Sequence, residues 1–141
     1  MRPTLPALFL TLAACSAPGP KIAAHDGWAR TTGGTVAAAY LTIENQGSAD
    51  TLTGVRSPIG QASLHESTTD GGIARMRPIP AGEGLVVPSN GKLRLAPGGA
   101  HVMIAALKRP LAPGDRFSLT LEFAKSADRK VTVTVRPAGK P

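Results

Sequence analysis

His101-Val102-Met103 sets an imidazole and a thioether two residues apart. On a β-strand, positions i and i+2 face the same side. An imidazole with a thioether is a soft ligand pair, and soft sulfur without a thiolate points to Cu(I) rather than to Zn or Mg. The remaining inventory extends the pair. Met1 is expected to be lost with an export signal, which leaves two methionines, Met76 and Met103, beside His25, His65 and His101.

A hairpin supplies the second half of the set. The stretches 62–69 and 72–78 read as strands flanking Asp70-Gly71. Asp-Gly is a preferred pair for a two-residue type I′ turn, whose central positions both need φ > 0. That turn places Thr69 opposite Gly72 and His65 directly opposite Met76, with Cβ atoms about 4.5–5.5 Å apart. It also places Glu66 opposite Arg75, a favourable charge pair on the other face. A Gly71-Gly72 turn would instead set His65 against Pro78. The charge pair favours the first register. If the strand of His101 and Met103 lies beside the hairpin, the expected site is His65, Met76, His101 and Met103: two neutral imidazoles and two thioethers.

Each member has a plainer role when taken singly. A lone Met commonly fills a core, and a lone His is commonly an exposed or hydrogen-bonded polar residue. The argument rests on the joint set. His25 precedes Asp26-Gly27-Trp28 in an expected loop and is at most an auxiliary ligand. Trp28 and Tyr40 are expected as core or sheet-edge residues, and Glu66 as a structural partner of Arg75.

The elements that must hold these residues are short. The chain has 141 residues, 16 Gly, 13 Pro and 4% aromatics, which suits one turn-rich β domain better than a helical bundle. Strands are expected at 27–31, 36–45, 50–57, 62–69, 72–78, 85–87, 92–95, 101–107, 116–123 and 130–136. Two alternate cleanly. Phe117, Leu119, Leu121 and Phe123 oppose Ser118, Thr120 and Glu122, and Val131, Val133 and Val135 oppose Thr132 and Thr134. Each therefore has one buried and one wet face. Short strands at this spacing make an all-β antiparallel sandwich.

The N-terminus reads as an export signal: Arg2, then an apolar run over 5–14 broken only by Thr11. Leu12-Ala13-Ala14-Cys15 resembles a lipobox. That resemblance implies a signal peptide over 1–14, lipidation of Cys15 and a lipidated tether over 15–24. The domain is then expected over 25–137, with a frayed tail at 138–141. Ser16 in place of Asp resembles outer-membrane sorting in a Gram-negative cell. In a Gram-positive host the anchor would sit on the outer face of the cell membrane. Cys15 is the only cysteine, so no disulfide and no thiolate ligand is expected. Loss of Arg2 leaves 15 basic and 9 acidic residues, a net +6. Export and the scatter of the basic residues argue against nucleic acid as a partner, leaving an acidic protein patch or anionic lipid.

The chain further resembles the periplasmic copper chaperones of the PCuAC family. Their pattern is a His, ten residues, a Met, a gap of a little over twenty, then His-x-Met. His65 and Met76 enclose ten residues here, and His101-Val102-Met103 completes the pattern. Leu64-His65-Glu66, Met76-Arg77-Pro78, Leu95-Ala96-Pro97-Gly98-Gly99, Trp28-Ala29-Arg30 and Ala38-Ala39-Tyr40-Leu41 resemble the family's surrounding text. The resemblance spans about residues 27–135. Glu66 stands where some members have Met, and the gap of 24 residues before His101 is slightly long.

The resemblance implies a cupredoxin-like Greek-key β-sandwich with Cu(I) bound near the surface by the four ligands. It also implies a non-enzymatic role in cytochrome c oxidase assembly, with copper passed to the Cu_A subunit or to a Sco-type protein. Copper storage or tolerance, and a metal-free envelope binding module, are the alternatives. A blue-copper site would need a Cys thiolate with two His, and no nucleophile elbow, Cys–His pair or zinc-protease motif is present.

Overall fold

The computed structural model describes residues 18–31 and 34–139. The expected signal, Cys15 and the last two residues of the expected tail lie outside the described residues.

Ten strands follow in order: β1 (Ile22–Thr31), β2 (Ala37–Asn45), β3 (Asp50–Arg56), β4 (Gln61–Asp70), β5 (Ile73–Pro78), β6 (Leu85–Val87), β7 (Gly91–Leu95), β8 (Ala100–Ala105), β9 (Arg116–Phe123) and β10 (Arg129–Val135). The fold is all-β and cupredoxin-like, as expected. Strand β1 begins at Ile22, so residues 22–24, expected in the tether, belong to the sheet. Ile22 is itself a core residue, and burial of its side chain draws the strand N-terminally.

Hydrogen bonding orders the strands β5-β4-β8-β2-β1-β10-β9-β3-β6. Strand β2 carries β1 on one edge, and on the other β8 at residues 37–39 and β7 at residues 41–45. Flanked on both edges, it is buried along nearly its whole length. The core gathers Ala29, Leu41, Ile43, Leu64, Val102 and Ile104 with the inward faces of β9 and β10. Phe117, Leu119, Leu121 and Phe123 alternate inward against Ser118, Thr120 and Glu122, as their period of two requires.

One pairing departs from an antiparallel sheet. Strands β1 and β10 run parallel, with Gly27 opposite Val133 and Ala29 opposite Val135. They open and close the domain, so the whole intervening chain is the crossover that a parallel pair demands. The contact is close at a bulge between His25 and Trp28, where Asp26 takes φ 56°. A Cβ on Gly27 would lie 2.4 Å from the Thr132 carbonyl oxygen. Glycine is thus required there by the approach of β10.

The β4–β5 hairpin turns at Gly71-Gly72, not at Asp70-Gly71. Both glycines have positive φ, 57° and 79°, so the turn meets the type I′ requirement with no Cβ at either central position. His65 is therefore opposite Pro78, and Met76 is opposite Ser67. Glu66 pairs with Arg77 at 2.9 Å rather than with Arg75.

Candidate metal centre

Strand β8 lies directly against β4, with His65 opposite His101, Ser63 opposite Met103 and Leu64 opposite Val102. Paired residues in an antiparallel ladder share a face, and so do residues two apart. Leu64, Val102 and Ile104 point into the core. His65, His101 and Met103 are therefore on the outer face of the same strands. Met76 is on that face too, because its partner Ser67 is two residues from His65. The two-residue difference in register moved Met76 along the strand without turning it over.

The result is three successive rows across the β5–β4–β8 ribbon: Met76 with Ser67, then Pro78 with His65 and His101, then Ser63 with Met103. The imidazoles stack with centroids 5.9 Å apart and planes 21° apart. Met76 and Met103 flank the histidine pair on opposite sides. Diagonal neighbours in such a ladder sit about 7–8 Å apart, within reach of a flexible thioether chain. All four expected residues are thus on one face, although His65 and Met76 are not directly opposed.

Environment differs sharply among them. His101 is only 3% exposed, whereas Met76 is 54% exposed. His65 and Met103 are half-buried. His101 Nδ1 lies 3.1 Å from the Gly99 carbonyl oxygen. A carbonyl only accepts, so Nδ1 carries the proton and Nε2 presents its lone pair. Nε2 is buried and has no hydrogen-bond partner. A buried polar atom without a partner costs about 1–3 kcal/mol, and a neutral imidazole with its Nδ1–H held by a carbonyl is the usual state of a metal-binding histidine. The Gly99 oxygen also accepts from the Ser67 amide at 3.1 Å, so it holds β4 beside Met76 as well. His65 Nδ1 is 3.4 Å from Ser63 Oγ. Among the described residues no three His, Cys, Asp or Glu side chains gather as a metal site.

His25 is not part of this set. Its Nδ1 meets Asp26 at 2.7 Å and its Nε2 meets Glu44 at 3.3 Å. Its hydrogen bond to Asp26, with help from Glu44, raises its pKa.

Sequence reasoning missed one feature of the site, an aromatic row that runs into it. Trp28 pairs with Tyr40 across β1 and β2, with ring centroids 4.5 Å apart. Tyr40 lies 6.2 Å from the His101 ring and is itself buried. Tyr40 walls one side of the buried imidazole, and Trp28 backs Tyr40. No local pattern joins Trp28 to Tyr40, and only the β1–β2 and β2–β8 registers bring them toward His101.

A family model described as "LpqE-like: Putative lipoprotein LpqE-like" matches residues 22–135. The chain is 31% identical to "Putative lipoprotein Lxx21020" of Leifsonia xyli subsp. xyli, over 94% of this chain and 87% of that protein. Among solved structures it resembles Cu(I)-DR1885 from Deinococcus radiodurans at 30% identity, covering 91% of this chain and 85% of that one with a TM-score of 0.63. It also resembles the apo PCuAC domain from PmoF1 at 26% identity, covering 86% of this chain and 98% of that one with a TM-score of 0.66.

Proposed function

The chain belongs to the LpqE-like family, and from that premise we propose that it is a Cu(I) carrier that releases its copper by ligand exchange. One observation carries the reading: the buried His101 Nε2 has no partner, and its lone pair is fixed by the Nδ1–Gly99 hydrogen bond. His65, Met76 and Met103 share its face. Two neutral imidazoles and two thioethers form an uncharged, soft donor set suited to Cu(I). The solution structure of Cu(I)-DR1885, a protein 30% identical to this chain, supports the same cargo.

The gradient of exposure suits transfer. His101 and Met103 sit on a strand paired on both edges, whereas Met76 sits on the outermost strand. An incoming thiolate or thioether would displace the exposed Met76 first and the buried His101 last. Only coordinate bonds to the ion are exchanged and no covalent bond is made or broken, which is the action of a carrier rather than of an enzyme.

Cys15, in a lipobox-like context, would anchor the carrier on the extracytoplasmic side of a membrane, which agrees with the lipoprotein description of the family. The recipient would be the Cu_A subunit of cytochrome c oxidase or a Sco-type assembly protein. The decisive experiment is Cu(I) titration against a competing chelator for the wild type and a Met76→Ala, Met103→Ala double variant. A fall of roughly two orders of magnitude in affinity, about 2.7 kcal/mol, is expected. Equal affinities would remove the methionines from the site and the reading with them.

A further inference from the structure

Nearly every carboxylate among the described residues already has a partner. Arg56 holds Glu122 and Asp128, Arg77 holds Glu66 and Glu83, Lys92 holds Glu44, and Arg109 holds Asp115. The Asp50 carboxylate is taken by Ser126 and by backbone amides. Many basic residues are left without a carboxylate, and two of them are seated on aromatic rings on the face of the candidate centre. Arg136 stacks 4.5 Å above the centroid of Trp28, and Arg30 lies 5.6 Å from the centroid of Tyr40. Neither has a carboxylate within ion-pair distance among the described residues. Arg94 is another such cation, and lines a shallow cleft with Trp28 and Arg136. The Asp26 carboxylate at the same cleft is held by His25.

Register fixes how near these cations are to the ligands. Arg30 pairs with Ala38, and Ala38 pairs with Met103. Arg30 and Met103 thus belong to one row two strands apart, roughly 10 Å between backbones. Ala38, with its small side chain, is the residue between them in the ladder. A ring beneath a guanidinium holds it in place and leaves its edge N–H groups free. Such a pre-organised fork matches a carboxylate and loses little entropy on pairing. The aromatic row therefore has a second use besides walling His101: it presents unpaired positive charge beside the ligands.

We propose that Arg30 and Arg136 form a docking rim for a protein that displays carboxylates around its own soft-metal site. This rests on the copper-carrier reading for the partner's role, but the docking itself does not need copper. Charge complementarity would orient the partner over the Met76–Met103 face and raise the encounter rate. A partner with a basic rim would be repelled.

Trp28 is the only tryptophan and lies under Arg136, so its fluorescence reports on the rim. The metal-free full chain is titrated with hexaglutamate and with hexalysine at an ionic strength near 10 mM, where the Debye length is about 30 Å. Hexaglutamate is expected to give a saturable change that weakens at least about tenfold in an Arg30→Glu, Arg136→Glu variant, while hexalysine gives none. An Arg30→Lys, Arg136→Lys variant, which keeps charge but not the planar fork, should fall between the two. Equal responses to the two peptides, or an undiminished response in the charge-reversed variant, would overturn the proposal. So would arginine-dependent sedimentation with phosphatidylglycerol vesicles and no response to hexaglutamate, which would assign the rim to lipid. Since no metal is present, failure here leaves the copper titration standing, and failure of that titration leaves this binding result standing.

Discussion

Strands β8 and β5 each contribute to the same face, yet they are built in opposite ways. Strand β8 lies between β2 and β4, sends Val102 and Ile104 into the core, and holds His101 at 3% exposure. Strand β5 has one neighbour, and every residue along it is exposed. Part of the candidate centre is as rigid as the hydrophobic core allows, and part is held only by a hairpin ladder. A permanent site would gain from burying all its ligands. A site that must give up its ion gains from leaving one ligand on an edge.

The largest test of this contrast is His101→Leu. It should lower Cu(I) affinity by more than two orders of magnitude in chelator competition while leaving the fold intact, because Leu fills a site that already excludes water. Met76→Ala should cost only about tenfold, roughly 1.4 kcal/mol, and should speed release of copper to a competing chelator. If the two variants lost affinity equally, the division between anchored and edge ligands would fail. A third variant, Gly72→Val, forces a β-branched residue into φ 79°. It should raise amide exchange in β5 several-fold, with a cost of about 1–2 kcal/mol confined to the arm, while the β8 amides stay protected. Glu66→Gln removes the exposed pair with Arg77 and should change global stability by less than about 1 kcal/mol. The smallest effect concerns His25, which is outside both regions. Its folded pKa is raised by Asp26 and Glu44, so its stabilising contribution is full below the unfolded value of 6.5 and fades as pH rises through the folded value. NMR titration of the imidazole should give a midpoint above 6.5, and Asp26→Asn should lower it.

The sequence carried the strand pattern well, and the reason is alternation. Phe117 to Phe123 and Val131 to Val135 read at period two because each has one wet face. The placement of β4 beside β8 was only conditional in the sequence, since no local pattern says which distant strands meet. The hairpin register was misread for a specific reason. Arginines stand at both 75 and 77, so Glu66 finds a cation in either register and the charge pair could not discriminate. Turn chemistry decided instead, because Gly71-Gly72 accepts two positive φ values more readily than Asp70-Gly71. The error left the four residues on one face, since a shift of two preserves it. The parallel pairing of β1 with β10 was illegible because it joins the two ends of the domain.

The Gly99 carbonyl oxygen, which receives both His101 Nδ1 and the Ser67 amide, sets an order of events. Local opening spreads from the least supported element, so the outermost strand frays before the ladder reaches Ser67. Over that interval the proposed centre would pass from four donors to three while the imidazole keeps its tautomer and aim. Denticity then becomes a kinetic variable of the hairpin, adjustable without any motion of the core.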